Sequence, residues 1–259
     1  MHPVLFEISG ISVYSYGFMI ALGSIAGVAY MAIQGKRELG LTFDQANMLF
    51  LCIFVAAFVG GKFFLFLEDA SYYQDHPRSL LTGRGFVFYG SFLFTIPTML
   101  WYFKANKLPV FKMLDIMAIT TCLVHAFGRL GCFLAGCCYG KPTDLFFGIV
   151  FTDPACQAEP LNTPLFPTQV LEAAYIFILA IVLWKIRDRR SFYGQLFLLY
   201  IFFYAVGRSI LEIFRGDSER GYVIGNYISH SQLIAFILIL VVLYFYKAWS
   251  VKNKVVRIK

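Results

Sequence analysis

Seven stretches of roughly 20 mostly apolar residues follow one another along this chain. They lie at about 15–34, 45–68, 86–103, 113–131, 168–186, 194–214 and 229–248. The hydrocarbon core of a bilayer is crossed by about 20 residues of helix. Backbone groups in lipid must be satisfied within the spanning segment, so each stretch reads as a helix rather than an isolated strand. Composition agrees. Hydrophobic residues make up 59% and charged residues 14%, where soluble domains carry about 25% charged residues. Mean hydropathy is +0.69. The fold class is therefore an all-α integral membrane protein, one polytopic domain over residues 1–259. The first stretch has no Lys or Arg before it and no small-residue cleavage site after it, so it reads as a retained helix, not a signal peptide. No internal repeat, low-complexity linker or nucleotide-binding fingerprint is present.

Positive charge sets the expected orientation. Of 22 Lys and Arg residues, 14 follow spans 1, 3, 5 and 7: Lys36, Arg37, Lys104, Lys107, Lys112, Lys185, Arg187, Arg189, Arg190, Lys247, Lys252, Lys254, Arg257 and Lys259. The opposite side has Arg78, Arg84, Lys141, Arg215 and Arg220. Cytoplasmic loops collect positive charge. The N-terminus is thus expected outside and the C-terminus, with a basic tail at 249–259, in the cytoplasm. The net charge of +7 needs topology and anionic lipid only, and no nucleic acid. The outer side carries the longer loops, about 69–85 and 139–167. Weak alternation over Phe146–Thr152 allows a short strand pair in the second loop.

Ionisable residues within spans are costly and face a polar interior. Tyr204, Arg208, Glu212 and Arg215 follow at spacings of four, four and three, which share one helix face. They form either an ion-pair ladder or an anion site, for which Arg offers a planar fork. Gly128-Arg129-Leu130-Gly131, followed by Gly136 and Gly140, is expected to break its helix near the outer surface and let a ligand approach Arg129. A glycine-lined packing surface is the alternative. Gly60-Gly61-Lys62 places a third cation, which either joins the site or snorkels to the interface. Tyr16, Tyr89-Gly90, Gln169 and Glu172 also fall at outer helix ends. This convergence predicts a polar, arginine-bearing cavity open to the outer leaflet, suited to an anionic lipid head group.

Those residues, in that order, resemble the bacterial prolipoprotein diacylglyceryl transferase family along nearly the whole chain. Tyr16-Gly17 looks like its Tyr-Gly pair, and Gly60-Gly61-Lys62 is similar to its Gly-Gly-Arg. Gly128-Arg129-Leu130-Gly131-Cys132-Phe133 with Tyr139-Gly140 resembles its Gly-Arg signature. Phe166-Pro167-Thr168-Gln169-Val170-Leu171-Glu172 resembles its His-Pro-Ser-Gln-Leu-Tyr-Glu segment. Tyr204, Arg208, Glu212 and Arg215 look like its span-6 quartet. The departures are equally specific. Tyr89 stands at the family's His, Cys132 at its signature Asn, Cys137 at a Glu and Phe166 at a second His. His125, one turn before Arg129, matches no family position.

The resemblance implies transfer of the diacylglyceryl group of phosphatidylglycerol to the lipobox cysteine of a prolipoprotein. The product is a thioether, and no cofactor is needed. It assigns Arg129, Arg208, Tyr89 and Glu212 as catalytic residues. Tyr16, Lys62, Cys132, Gly140, Gln169, Glu172, Tyr204 and Arg215 are assigned to substrate binding, with no metal. Location in the bacterial cytoplasmic membrane is also implied. Arg129 and Arg208 would hold the phosphate, with Glu212 orienting Arg208. The proton acceptor stays open, because a tyrosine's reference pKa is about 10; Glu172, Glu212 or the substrate phosphate are candidates. Six cysteines also stay open: Cys52 and Cys122 as packing, and Cys132, Cys137, Cys138 and Cys156 as disulfide, nucleophile, redox or metal group. The spacing C-x4-C-C is not a standard zinc motif. Two other functions compete: a diverged paralogue with another acceptor, and a lipid or solute transporter. Against the latter, the two halves show no matched broken helices.

Overall fold

A computed structural model describes residues 2–8, 11–82, 85–216, 221–224 and 228–252. The expected basic tail lies outside the described residues from 253 on, as do Arg84 and Arg220. The elements run β1 (Val4–Ile8), β2 (Ile11–Tyr14), α1 (Ser15–Leu39), α2 (Phe43–Glu68), α3 (Ala70–Asp75), α4 (Pro77–Thr82), α5 (Phe88–Ala105) and α6 (Val110–Ala135). They continue as β3 (Ile149–Val150), β4 (Pro164–Leu165), α7 (Thr168–Ile186), α8 (Gln195–Phe214), β5 (Tyr222–Ile224), β6 (Ile228–Ser229) and α9 (His230–Lys252). Six of these helices, α1, α2, α6, α7, α8 and α9, are long and apolar enough to cross a bilayer. The seventh expected segment forms α5, of 18 residues with Pro97 inside it. The protein is an all-α integral membrane protein, and the strands among the described residues form three short antiparallel pairs. The chain divides into two compact units, Met1–Tyr30 with Leu114–Lys259, and Met31–Met113.

In the smaller unit, Thr42 and Gln45 form a reciprocal capping box that starts α2, with Gln45 N–H donating to Thr42 Oγ1 at 3.2 Å. Tyr102, almost fully buried, donates its hydroxyl to Gln45 O at 2.9 Å and ties α5 to that start. Small residues let α2 and α5 touch backbone to backbone. A Cβ on Gly60 would strike Gly90 O, one on Gly90 would strike Gly60 O, and Ser91 Oγ donates to Ala57 O at 2.8 Å. Close approach at small residues is how helices associate where lipid offers no hydrophobic gain. Lys62 is buried, and its Nζ donates to Gly85 O at 3.1 Å.

In the larger unit α1 packs on α6 through four glycines. A Cβ on Gly23 or Gly27 would meet Phe127, Val124 and Thr120, and one on Gly128 or Gly131 would meet Ile20, Tyr16 and Met19. The expected break at Gly128 and Gly131 is therefore corrected. Helix α6 runs through both to Ala135, because their missing side chains serve packing. The chain turns only at Gly136, where φ is +77°. Helix α7 buries Gln169, Glu172, Ala173, Ile176, Leu179, Ala180 and Leu183, a stripe at helical spacing. Tyr175 packs over Gly207 and donates to Phe203 O at 2.5 Å, joining α7 to α8. In the loop after α6, Tyr139, Phe151, Ala158 and Leu165 form a small core of their own. The strand expected within 146–152 is present as β3, but it pairs with β4 rather than with a near neighbour. Outward faces are apolar, as on α9, where Phe236, Leu243 and Tyr244 are exposed. Lipid, not water, suits such a surface.

Asp115 fixes the other end of this bundle. It is fully buried within α6 and accepts from Gly194 N (2.9 Å), Leu196 N (2.9 Å) and Phe197 N (3.2 Å) at the start of α8. Arg190 Nε stands 3.7 Å from Oδ2. Orphan N–H groups at a helix start are thus satisfied from a different helix. Asp115→Ala leaves these donors unsatisfied and removes the carboxylate facing Arg190. We expect a loss of roughly 2–4 kcal/mol, read as a lower Tm by circular dichroism in detergent. An unchanged Tm would refute the role of this cap.

Candidate functional site

Three helices of the larger unit bring the charged residues together. Arg129 lies on α6, Glu172 on α7, and Arg208 and Glu212 on α8. Arg129 Nε is 3.1 Å from Glu172 Oε1, and the two side chains are 15% and 3% exposed. Arg129 Nε also donates to His125 Nε2 at 3.4 Å, and His125 Nε2 is 3.8 Å from the same carboxylate oxygen. His125 sits edge-on to the Tyr204 ring, centroids 5.0 Å apart. Tyr204 lies within electrostatic reach of Arg129, Arg208 and Glu172. Arg208 Nη1 meets Glu212 Oε2 at 2.6 Å, both side chains nearly buried. The expected Arg208–Glu212 pair is present. The sequence points to Glu172 as a substrate-binding residue and candidate base but does not pair it with Arg129, because it lies one helix further along the chain.

The end of α6, the start of α7 and the end of α8 are tied by one strap. Gly140 N–H donates to Phe166 O (3.0 Å), Lys141 N–H to Phe214 O (2.8 Å) and Gly216 N–H to Tyr139 O (3.1 Å). Gly140 is at a backbone crossing, where a Cβ would strike Phe166 O and come within 2.9 Å of Phe214 O. Arg215 pairs with Gly140 in that crossing. It is therefore corrected from the helical stripe. Helix α8 stops at Phe214, and Arg215 is extended (φ −73°, ψ 144°), so Tyr204, Arg208 and Glu212 share a helix while Arg215 leaves it.

Beside Arg129 the end of α6 carries three cysteines. The sulfurs of Cys132, Cys137 and Cys138 all lie within 4.8 Å of one another. All six cysteines are free thiols, so the disulfide left open for Cys132, Cys137, Cys138 and Cys156 is not formed; Cys156 packs against the Gly136 turn. Gln169 Nε2 donates to Cys137 O (2.8 Å) and Thr168 Oγ1 to Cys138 O (2.7 Å). Hydrogen bonds from Cys132 and Cys137, then the Arg215 and Arg129 guanidinium groups, hold the Cys138 thiol well below the usual thiol range. Tyr16 rests on Gly131, within electrostatic reach of Cys132, Cys137 and Arg129. Of the residues expected in the site, Tyr16, Arg129, Cys132, Gly140, Gln169, Glu172, Tyr204, Arg208, Glu212 and Arg215 belong to the larger unit. Lys62 and Tyr89 belong to the smaller one, where Lys62 is buried and Tyr89 exposed in the first turn of α5. His125 and Thr168 complete the cluster. The signal for His125 was its spacing of four before Arg129.

The buried Arg129–Glu172 pair has a measurable signature. Removing one partner of such a pair strands a charge, whereas removing both does not. Glu172→Ala should cost about 3 kcal/mol of stability. The double variant Arg129→Met/Glu172→Met should recover most of it, read as Tm in detergent. A double variant as unstable as the single one would refute this pairing.

The model of the family described as prolipoprotein diacylglyceryl transferase matches residues 3–248. A phosphatidylglycerol–prolipoprotein diacylglyceryl transferase of Clostridium tetani is 39% identical over 243 residues, covering 93% of this chain and 95% of the relative. A phosphatidylglycerol–prolipoprotein diacylglyceryl transferase 2 of Clostridium perfringens is 33% identical, with 92% of each chain covered. One from Dehalococcoides mccartyi is 29% identical over 92% of this chain and 89% of its own. With the model matched over nearly the whole chain and a relative at 39% identity, this chain belongs to the prolipoprotein diacylglyceryl transferase family.

Proposed function

We propose that this membrane protein transfers the diacylglyceryl group of phosphatidylglycerol to the thiol of a lipobox cysteine in a prolipoprotein. The observation that carries the reading is two arginines, each paired with its own glutamate, near Tyr204 and His125 on helices long and apolar enough to cross a bilayer. The reaction forms a C–S bond at the glyceryl carbon and expels glycerol phosphate. Negative charge gathers on the departing phosphate, and preset guanidinium groups stabilise it without reorganising. Glu172 and Glu212 fix the two guanidiniums before substrate arrives. Tyr204, within electrostatic reach of both, is assigned to help position them. Tyr16, Gln169 and Arg215 lie toward the outer end of the cluster, where the head group and acceptor approach. Lys62 and Tyr89 are assigned to the same substrate through the family pattern. The single polytopic body is read with seven spans, α5 included, N-terminus outside and C-terminus in the cytoplasm, in the bacterial cytoplasmic membrane.

The test is a transfer assay with purified protein, phosphatidylglycerol vesicles and a lipobox peptide, the product being followed by mass. The Cys peptide gains a diacylglyceryl mass and its Cys→Ser counterpart does not. Arg208→Ala drops transfer by at least about a thousandfold while the protein stays folded; Arg208→Lys keeps part of it, because a point charge replaces a fork. Normal transfer by Arg208→Ala would sink the assignment. No product from intact protein, beside an active relative, would direct the search to another acceptor.

A further inference from the structure

The transfer reading leaves the acceptor thiol without a base of evident strength, and beyond the substrate-binding place that the resemblance gives Cys132 it leaves the clustered thiols at the end of α6 without a task. We propose that Cys132, Cys137 and Cys138 bind one thiophilic divalent cation of the zinc class, whose open fourth position takes the acceptor cysteine and presents it as a thiolate. The proposal rests on the transfer reading and deepens it.

Geometry comes first. The three sulfurs lie within 4.8 Å of one another. A tetrahedral cation with Zn–S of about 2.3 Å sets its sulfurs about 3.8 Å apart, a gap that small side-chain rotations close. Among the described residues no fourth His, Cys, Asp or Glu completes the group. Three protein ligands and one open position are the mark of a catalytic rather than a structural zinc site. The backbone is preset for it. The Gly136 turn (φ +77°) folds the chain back, Cys137 N–H donates to Cys132 O at 3.1 Å, and Cys138 is held at φ +61°. Non-glycine residues seldom adopt that conformation, and it persists only where the surroundings hold it. Here Gln169 and Thr168 hold both cysteine carbonyls.

A second observation points to a ligand. Gln169 is 1% exposed, its amide nitrogen is committed to Cys137, and its Oε1 has no hydrogen-bond partner. A buried acceptor without a partner costs free energy. It lies beside the three thiols, where an incoming peptide N–H would satisfy it. Charge is consistent too. Three thiolates and a divalent cation leave one negative charge, and Arg129 and Arg215 are the cations next to it.

The step balances. The acceptor S–H gives up its proton as its sulfur joins the cation, since a coordinating thiol is deprotonated outright. A sulfur electron pair then forms the C–S bond, the glyceryl C–O bond breaks with its pair on the phosphate oxygen, and the released glycerol phosphate takes up the proton. Nothing is oxidised or reduced.

The experiment uses the full chain in detergent, purified without chelator, with metal content by mass spectrometry and with cobalt(II) replacing the native metal. We expect close to one zinc per chain, sulfur-to-cobalt charge-transfer bands, and a shift of the cobalt ligand-field bands on adding a lipobox Cys peptide but not its Ser counterpart. Cys137→Ser loses the metal, whereas Cys52→Ser keeps it. Chelation lowers transfer by about a hundredfold, and zinc restores it. Folded wild-type protein that takes up neither zinc nor cobalt overturns the proposal. Cobalt bands indifferent to the Cys peptide overturn the acceptor role. Metal-free protein that transfers at full rate overturns the cation and leaves the transfer reading standing. Failure of transfer by the zinc-loaded protein overturns that reading instead, and the cobalt bands still report the site.

Discussion

A guanidinium at bilayer depth has no water to turn to, and the rest of this molecule is organised around that fact. Arg129 is 15% exposed and finds Glu172 at 3.1 Å on the next helix; Arg208 finds Glu212 at 2.6 Å on its own. Charges in lipid are tolerated only when paired and turned inward. The pairing fixes which faces of α6, α7 and α8 meet, and it presets the positive field that an anionic head group would enter. Asp115 applies the same rule at the far end of α6, where one carboxylate collects three backbone donors from the start of α8.

Small residues do what hydrophobicity cannot do in lipid. Leucine gains nothing by leaving one hydrocarbon for another, so helices associate where their backbones come close. Gly60 and Gly90 do this for α2 and α5, and Gly23, Gly27, Gly128 and Gly131 for α1 and α6. The glycines flanking Arg129 thus hold the helix that carries the arginine, rather than opening it. The opening comes later, at Gly136, and it delivers Cys137 and Cys138 back beside Cys132.

The three clustered cysteines sit beside a strap that does not depend on them. The strap at Tyr139–Lys141 depends on backbone hydrogen bonds, which are indifferent to the side chains before it. Residues 132, 137 and 138 can therefore change chemistry while the ends of α6, α7 and α8 stay joined. The spacing C-x4-C-C looks unlike a metal motif in sequence, because motif spacings assume a particular turn. The positive-φ pair at Gly136 and Cys138 supplies a different turn.

By itself the sequence determined the membrane helices, their order and approximate limits, and the residues that carry charge within them, because hydrocarbon thickness and backbone satisfaction act on every segment locally. It also placed Arg208 with Glu212, since a spacing of four is decided within one helix. It could not assign Glu172 to Arg129, give His125 a place, or collect three thiols into a group, because these depend on which faces of separate helices meet. It placed Arg215 on the α8 stripe, and only the strand-like crossing with Gly140 decided otherwise. Lys62 is a similar case: an aliphatic stem near a helix end reaches the interface or folds inward equally well, until a backbone carbonyl, here that of Gly85, is brought within 3.1 Å. What periodicity and composition control is legible in one dimension; what depends on contacts between helices was decided by the tertiary structure, since a partner's position is not written in its neighbours along the chain.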